Sequence, residues 1–277
     1  MIADLAPRTS GTLLEAEYRA LDAGLARTRS APLVFDARAY DPRSVARARG
    51  LWLERMENEY SSTTVFSQLA GQLMEANATL DATAVTLRMA QDELRHAELC
   101  AAVVRAMGGE ARRARETSIV AIARHPGVSD EERAIRNVVF TTCLSEMNSV
   151  SYFVAGLETM TDPCLRDVTR RLLADEVLHG RFGFAYLEAW SPWLDANPGA
   201  RASIGTYLAF AFAVVEREFT RGETKRFTPT PDDDALGVLP PGLSAETFRR
   251  TMIEAVVPGL ERFGIPAEDA WKQRRLG

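Results

Sequence analysis

The sequence predicts an all-α protein organised around a bundle of four long helices. Proline, glycine and helix-capping residues divide the 277-residue chain into long, uninterrupted segments. Those segments repeat apolar residues at spacings of three and four, which is the period of a helix buried along one face. No stretch alternates apolar and polar residues as a strand would, and no glycine-rich phosphate loop occurs. We therefore expect one domain over residues 1–277, with additional helices on both sides of a bundle at about residues 43–190.

The first helices are located by their end signals. A helix is expected over residues 12–28, ahead of the bundle. Asp41 followed by Pro42 is an N-cap with proline at the first helical position, and it opens the first bundle helix. Asp81 is the expected cap of the second bundle helix, which runs as far as the glycine pair at 108–109.

A longer connection leads to the third bundle helix, where Ser129 and Glu132 form a capping box. The Asp-Pro pair at 162–163 starts the fourth bundle helix by the same logic as the first. Two further helices are expected at 201–221 and 244–263, separated by a loop rich in proline and aspartate.

The composition is typical of a soluble protein of the cytoplasm. The chain is 46% hydrophobic and 26% charged, with a net charge of −5. Arginines are interspersed with acids, so no basic stripe indicates nucleic acid or an anionic membrane surface. The three cysteines form no CxxC pair, the N-terminus has no secretion signal, and no run of about 20 apolar residues predicts a membrane span. We expect no nucleic-acid partner and no membrane partner.

One five-residue motif occurs twice. Residues 92–96 read Asp-Glu-Leu-Arg-His and residues 175–179 read Asp-Glu-Val-Leu-His, so both copies are Asp-Glu-x-x-His. A glutamate and a histidine three residues apart project from the same face of a helix, where both can bind one cation. A single Glu-x-x-His is weak evidence, because most such pairs are solvated surface neighbours. Two copies that use two of only three histidines are far more specific for a metal site.

The other two bundle helices each place one glutamate on an apolar stripe. Glu59 is the only charged residue on the stripe that runs through residues 52–73. Glu146 holds the same place on the stripe through residues 139–157. Because an ionised carboxylate buried without a partner costs several kcal/mol, such groups are normally paired or bound to metal. Two cations would offset four converging carboxylates, whereas the stripes contain no arginine that could do so.

The doubled motif, with a stripe glutamate about thirty residues before each copy, resembles the ferritin-like di-iron carboxylate superfamily over roughly residues 43–190. It looks most like the bacterial arylamine N-oxygenases, and secondarily like acyl carrier protein desaturases and hydroxylase subunits. The long connection between the second and third helices also matches the crossover of ferritin-like bundles. The resemblance implies a two-metal site with six ligands: Glu59, Glu93, His96, Glu146, Glu176 and His179.

The resemblance also implies supporting roles around these ligands. Glu93 and Glu176 would bridge the two metals. Asp92 and Asp175 would each accept the ring N–H of the opposite histidine, and Arg95 would pair with these aspartates.

The expected function is that of a di-iron oxygenase. Two iron ions, or a manganese–iron pair, would activate dioxygen and hydroxylate or N-oxygenate a small organic substrate. The N-oxygenases carry an additional histidine ligand where this chain has Leu172, so the sequence does not identify the substrate. Because no flavin or nicotinamide motif is present, an external ferredoxin or flavin reductase would supply electrons; a homodimer is a further expectation.

Three alternatives remain open at this point. The first is a ferroxidase or iron-handling protein of the ferritin type. The second is a radical-generating subunit similar to that of ribonucleotide reductase. The third is a bundle that keeps its charges without metal, as a structural or interaction protein.

Three residues of the fourth bundle helix have two explanations each. Gly180 and Gly183 are unusual inside a helix, and they indicate either close packing of a neighbouring helix or room for a substrate beside the metals. Tyr186, on the face of the motif histidine, is either a packed core residue or a redox-active one.

Overall fold

The computed structural model describes residues 12–14, 16–17, 33–112, 121–221, 223 and 227–275. Within these ranges every regular element is helical and no strand occurs, which confirms the prediction of an all-α fold. The helix predicted at 12–28 lies mostly outside the described residues.

Four long helical stretches make up the centre of the molecule. They are α1 (Pro42–Glu75), α2 (Leu80–Ala106), a third stretch, and α5 (Pro163–Ala189). The third stretch consists of α3 (Asp130–Val138), a π-helical segment (Val139–Glu146) and α4 (Met147–Thr159). After α5 the chain continues through α6 (Ser191–Ala196), α7 (Pro198–Phe219), α8 (Pro241–Thr251), a second π-helical segment (Met252–Val256), α9 (Val257–Glu261) and α10 (Ala267–Lys272). A short 3₁₀ turn, Ala37–Ala39, precedes α1.

The helix starts follow the predicted caps with one exception. The side chains of Asp41, Ser129 and Asp162 each accept a hydrogen bond from a backbone N–H in the first turn of their helices. The prediction that Asp81 caps α2 is wrong, because the N-cap is Thr79 and Asp81 lies inside the first turn. An acid in that turn still interacts favourably with the positive end of the helix dipole, which explains why it resembled a cap. The short helices α6 and α10 were not predicted.

The four stretches pack around a common interior. The antiparallel helices α1 and α2 contact each other extensively, the π-helical segment and α4 pack on α5, and α2 touches α5. Buried apolar residues form two clusters. We call them the Phe66 cluster, which includes Phe66, Met89, Cys143 and Phe182, and the Trp52 cluster, which includes Trp52, Cys100, Phe153 and Leu172. Along α1, α2 and α5 the predicted metal ligands lie between these two clusters, so the core has a polar layer enclosed by two apolar ones.

The helix α7 is an exception to the expectation that no segment resembles a membrane span. By length and composition alone it could cross a membrane, and it is the one such helix among the described residues. In its most apolar window 39% of the residues are buried, and it packs against α3, α8 and α10. A core helix of a soluble protein passes the same test, so α7 is weak evidence for a membrane span.

The π-helical segment interrupts the third stretch just before the predicted ligand Glu146. Two buried threonines explain part of the distortion. The hydroxyl of Thr141 donates to the carbonyl of Asn137 at 2.8 Å, and that of Thr142 donates to the carbonyl of Val138 at 2.6 Å. Hydroxyls that compete for i−4 carbonyls weaken the α-helical hydrogen bonds. Single-turn π segments are frequent at functional sites, and this one ends at Glu146.

Candidate metal centre

The structure brings the six predicted ligands into one buried cluster between the four helical stretches. Glu59 comes from α1, Glu93 and His96 from α2, Glu146 from the end of the π-helical segment, and Glu176 and His179 from α5. All six are buried. We refer to these residues as the six-residue cluster, and to Glu93 and Glu176 as the shared glutamates.

Two overlapping groups within the cluster could each hold a metal ion. One group contains Glu59 and His96, the other contains Glu146 and His179, and both contain the shared glutamates. Within each group, one ligand atom from every residue lies within 4.8 Å of the others. The two groups have the same composition, three glutamates and one histidine each, as the doubled motif would produce. Buried carboxylate and imidazole groups at this spacing can therefore bind metal.

Both histidines point the same ring nitrogen at the carboxylates. Nδ1 of His96 lies 3.2 Å from an oxygen of Glu176 and 3.5 Å from one of Glu59. Nδ1 of His179 lies 3.1 Å from an oxygen of Glu93, and the two imidazole rings are 5.8 Å apart. In each ring the nitrogen near the glutamates is the one available to a cation.

The opposite nitrogen of each ring faces an aspartate from the other motif. Nε2 of His96 lies 3.2 Å from Oδ2 of Asp175, and Nε2 of His179 lies 3.4 Å from Oδ2 of Asp92. An aspartate in this position holds the proton on Nε2, so Nδ1 is the nitrogen that can bind a cation once the proton it carries is displaced. The arrangement agrees with the crossed pairing that the resemblance implied.

Two arginines neutralise these aspartates. Arg95 forms an ion pair with Asp92, and its guanidinium also lies 3.9 Å from Asp175, so one side chain reaches both acids. Arg88 pairs with Asp92 at 3.0 Å from one turn earlier on α2. Arg88 was not predicted as part of the site, although its i, i+4 spacing from Asp92 is a usable signal.

Burial and mutual repulsion shift the pKa values inside the cluster. Burial raises the pKa of both shared glutamates well above the usual range, and the charge of Glu146 adds to the rise in each. Burial would lower the pKa of His96 and His179, but the hydrogen bonds to Asp175 and Asp92 and the charges of the nearby glutamates raise both well above the usual value. Burial also opposes ionisation of Glu59, yet its close contact with His96 lowers its pKa. Positive charge, whether from protons or from cations, is therefore strongly attracted to this site.

Several polar atoms of the cluster lack hydrogen-bond partners among the described residues. They are Nδ1 of both histidines and one oxygen of each shared glutamate. A buried polar atom without a partner costs about 1–3 kcal/mol, so four in one place need an explanation. A cation bound between them would satisfy all four, which means that the residues fit a metal.

The cluster is not equally closed on all sides. Glu59 and Glu146 are 8% and 7% exposed, whereas the shared glutamates and both histidines are 0–2% exposed. The side formed by α1 and the third stretch is therefore the one through which solvent comes nearest to the carboxylates.

The glycines of α5 allow close packing next to the ligands. A Cβ atom at Gly183 would lie 2.2 Å from the hydroxyl of Thr142 and 2.5 Å from the sulfur of Cys143. A Cβ atom at Gly180 would lie 2.9 Å from the sulfur of Met147. Of the two explanations, the structure therefore supports close helix packing. Tyr186 is a fully buried core residue, and its hydroxyl has no hydrogen-bond partner among the described residues.

Comparison with known proteins does not identify the chain. No model of a known protein family matches it, and a search of curated proteins finds no significant match. The function is therefore inferred from the geometry of the six-residue cluster.

Proposed function

We propose that the chain is a ferritin-like di-iron oxygenase that uses dioxygen to hydroxylate or N-oxygenate a small organic substrate. The six-residue cluster would hold the two iron ions, and the shared glutamates would bridge them. A manganese–iron pair is compatible with the same residues, because imidazole and carboxylate ligands suit both metals.

The observation that carries the proposal is the overlap of the two ligand groups at Glu93 and Glu176. One isolated group of four ligands would accept a single ion. Two groups that share two carboxylates favour a pair of ions with those carboxylates between them. The charges also match, because four glutamates would carry four negative charges and two divalent cations four positive ones. Without such neutralisation, four carboxylates in a dry layer would repel one another strongly.

The roles of the chain's own residues follow from their contacts. Glu59 and Glu146 would each bind one ion at the more open side of the cluster. Asp92 and Asp175 keep the imidazoles in the tautomer that presents Nδ1, while Arg95 holds both aspartates. Bound iron would supply the redox chemistry that dioxygen activation needs. The two apolar clusters exclude water from the polar layer, which limits side reactions of activated oxygen.

The experiment that tests the proposal is metal analysis after anaerobic reconstitution with ferrous iron. We expect two iron ions per chain in the wild type and about one in Glu146→Ala, because only one of the two groups contains Glu146. Glu158→Ala is the matched control, since it removes an exposed glutamate from α4 and should leave two ions bound. A Glu146→Ala protein with two irons would show that the ligand assignment is wrong. A wild type that binds less than about one transition metal per chain would refute the metal centre.

The same reconstituted protein separates the oxygenase from its alternatives. A ferroxidase of the ferritin type would assemble into a large shell and keep oxidising added ferrous iron without an organic substrate. A radical-generating subunit would need an oxidisable side chain near the metals, and oxidation of a tyrosine is easiest when a group accepts its proton. Among the described residues no such group contacts the hydroxyl of Tyr186. An oxygenase is expected to be a monomer or homodimer that consumes oxygen with an external ferredoxin or flavin reductase as electron donor.

A further inference from the structure

Arg55 is a partly buried charge that lies one turn before Glu59 on α1. Its guanidinium lies over the rings of two residues of the Trp52 cluster, 4.5 Å from the ring centre of Trp52 and 4.5 Å from that of Phe153. A third ring, that of Tyr152, has its centre 5.9 Å away. Rings from α1 and α4 therefore fix the guanidinium between these two helices. Cation–π contacts of this kind hold the charged group without using its N–H donors.

No carboxylate forms an ion pair with this guanidinium within the described part of the chain, although the charge of Arg55 helps to lower the pKa of Glu59. None of the ion pairs or hydrogen bonds formed there engages its guanidinium, although Arg88 and Arg95 both pair with Asp92. Glu59 follows at i+4, the spacing at which such pairs commonly form on a helix. Glu59 is directed instead at His96, with 3.5 Å between Oε2 and Nδ1. The five N–H donors of Arg55 consequently remain available.

The position of Arg55 links it to the six-residue cluster. Four residues correspond to about 6 Å along the helix axis, so Arg55 stands one turn from a predicted ligand. Its charge also acts on a neighbour in the interior. Burial and the charge of Glu59 raise the pKa of the Cys100 thiol, while Arg55 opposes that rise. The side chain is partly exposed and lies on the α1 side of the molecule, where the cluster is most open.

We propose that Arg55 binds the carboxylate of a small organic acid and thereby directs the rest of that molecule toward the six-residue cluster. A planar guanidinium accepts a carboxylate through two parallel hydrogen bonds. The aromatic and apolar surroundings, Trp52, Phe153 and Cys100, suit an organic body better than a fully hydrated inorganic anion. This inference names a substrate class for the proposed oxygenase, and so it depends on that function for its role but not for the binding itself.

Benzoate is a suitable probe, with benzamide as its uncharged counterpart and inorganic phosphate as the competing anion. Binding to metal-free and iron-loaded protein is measured by calorimetry and by the shift in melting temperature. We expect benzoate to bind both forms, and benzamide and phosphate to bind much more weakly. Arg55→Gln should weaken benzoate binding about 10- to 100-fold, the effect of losing a charge-assisted pair of hydrogen bonds. Arg49→Gln removes the same charge from the same helix at a partly exposed position and should leave the affinity unchanged.

The possible outcomes separate this inference from the proposed function. If Arg55→Gln binds benzoate as tightly as the wild type, the carboxylate is held at another place, and if only iron-loaded protein binds it, the carboxylate is held by metal. Either result shows that the inference is wrong. Preferential binding of phosphate, or no benzoate binding up to about 10 mM, also overturns it. The iron content of Arg55→Gln should equal that of the wild type. A wild type that binds benzoate through Arg55 but takes up no iron would refute the oxygenase and leave the anion site standing.

Discussion

Gly183→Ala is expected to destabilise the protein by forcing two helices apart beside the six-residue cluster. The new methyl group would lie 2.2 Å from Oγ1 of Thr142 and 2.5 Å from the sulfur of Cys143, where ordinary contacts are about 3.5–4 Å. Neither neighbour can move freely, because both are fully buried and Oγ1 of Thr142 already donates to the carbonyl of Val138 at 2.6 Å.

The magnitude follows from three contributions. Overpacking of a filled core costs about 1–3 kcal/mol. Rotation of Thr142 away from the methyl group would break a hydrogen bond that contributes about 1 kcal/mol. Replacement of glycine by alanine inside a helix gains about 1 kcal/mol. The net loss is about 1–3 kcal/mol, which for a chain of this length lowers the melting temperature by about 2–10 °C.

Gly71→Ala provides the matched control. Gly71 is also inside a long helix, but it is exposed and a Cβ atom there would meet nothing within 4 Å. This variant should gain about 0.5–1 kcal/mol and melt slightly above the wild type. Scanning fluorimetry measures both shifts, and metal analysis should show reduced iron in Gly183→Ala alone. If both variants melt above the wild type with unchanged iron, close packing at Gly183 is not what positions the third stretch.

Three further predictions concern hydrogen bonds and protons. Asp175→Asn should leave His96 without its carboxylate acceptor and weaken metal binding about 10- to 100-fold. Competition with a chelator measures the metal affinity, and an unchanged affinity would contradict the role of the aspartate. Metal affinity should rise with pH, because the shared glutamates and both histidines have raised pKa values and hold protons that a cation must displace. Calorimetry in buffers of different ionisation enthalpy would reveal those protons, and equal heats would refute the expectation. Tyr40 donates to Asp162 at 2.8 Å, and burial together with this bond raises its pKa to about 12. The contribution of this hydrogen bond to the free energy of unfolding should therefore be complete below about pH 10 and lost as the pH approaches 12. Denaturant titration should show that Tyr40→Phe is less stable than the wild type at neutral pH and that its stability falls less at alkaline pH.

The burial of the six-residue cluster could be predicted from the sequence because each of its residues interrupts an apolar stripe. Glu59 is the clearest case. Its neighbours on the stripe, Met56 and Phe66, are buried in the two apolar clusters, and Glu59 is the charged residue between them. A regular α-helix keeps the spacing of its buried positions constant, so the buried face of α1 could be predicted from the sequence alone. The same reasoning holds for α2 and α5, where the motif residues are buried as the stripes predicted.

The third stretch was less predictable because of its π-helical segment. Each residue added to a turn rotates everything that follows by about 100° relative to a continuous α-helix. Downstream of Glu146, the structure follows the predicted stripe through residues 139–157 only in part. Phe153 is buried as expected, but Val150 and Leu157 on the same stripe are only partly buried. Asn148, which lies off the stripe, is buried. The two adjacent threonines are a weak signal for this segment, because threonine pairs also occur in regular α-helices. Whether a π-helical segment forms depends on the residues against which the helix packs.

Arg55 and Arg88 show a different limit of the sequence. Half-buried arginines look like surface residues in a helical pattern, because their long side chains can carry the charge outward. Arg88 pairs with Asp92 on its own helix, which the i, i+4 spacing could have indicated. Arg55, by contrast, turns away from Glu59 toward rings that include Phe153 of the neighbouring α4. Tertiary contacts of this kind leave no periodic signal in the chain.

The layered core suggests that folding and metal binding are separable. The Phe66 cluster and the Trp52 cluster each join α1, α2 and α5 on one side of the polar layer, so the helices are held at two places independently of the ligands. The polar layer itself opposes folding unless its charges are neutralised. Substitutions among the ligands should therefore reduce metal content before they unfold the chain. Removing Phe66 or Trp52, by contrast, creates a cavity that costs about 3–5 kcal/mol and should affect stability first.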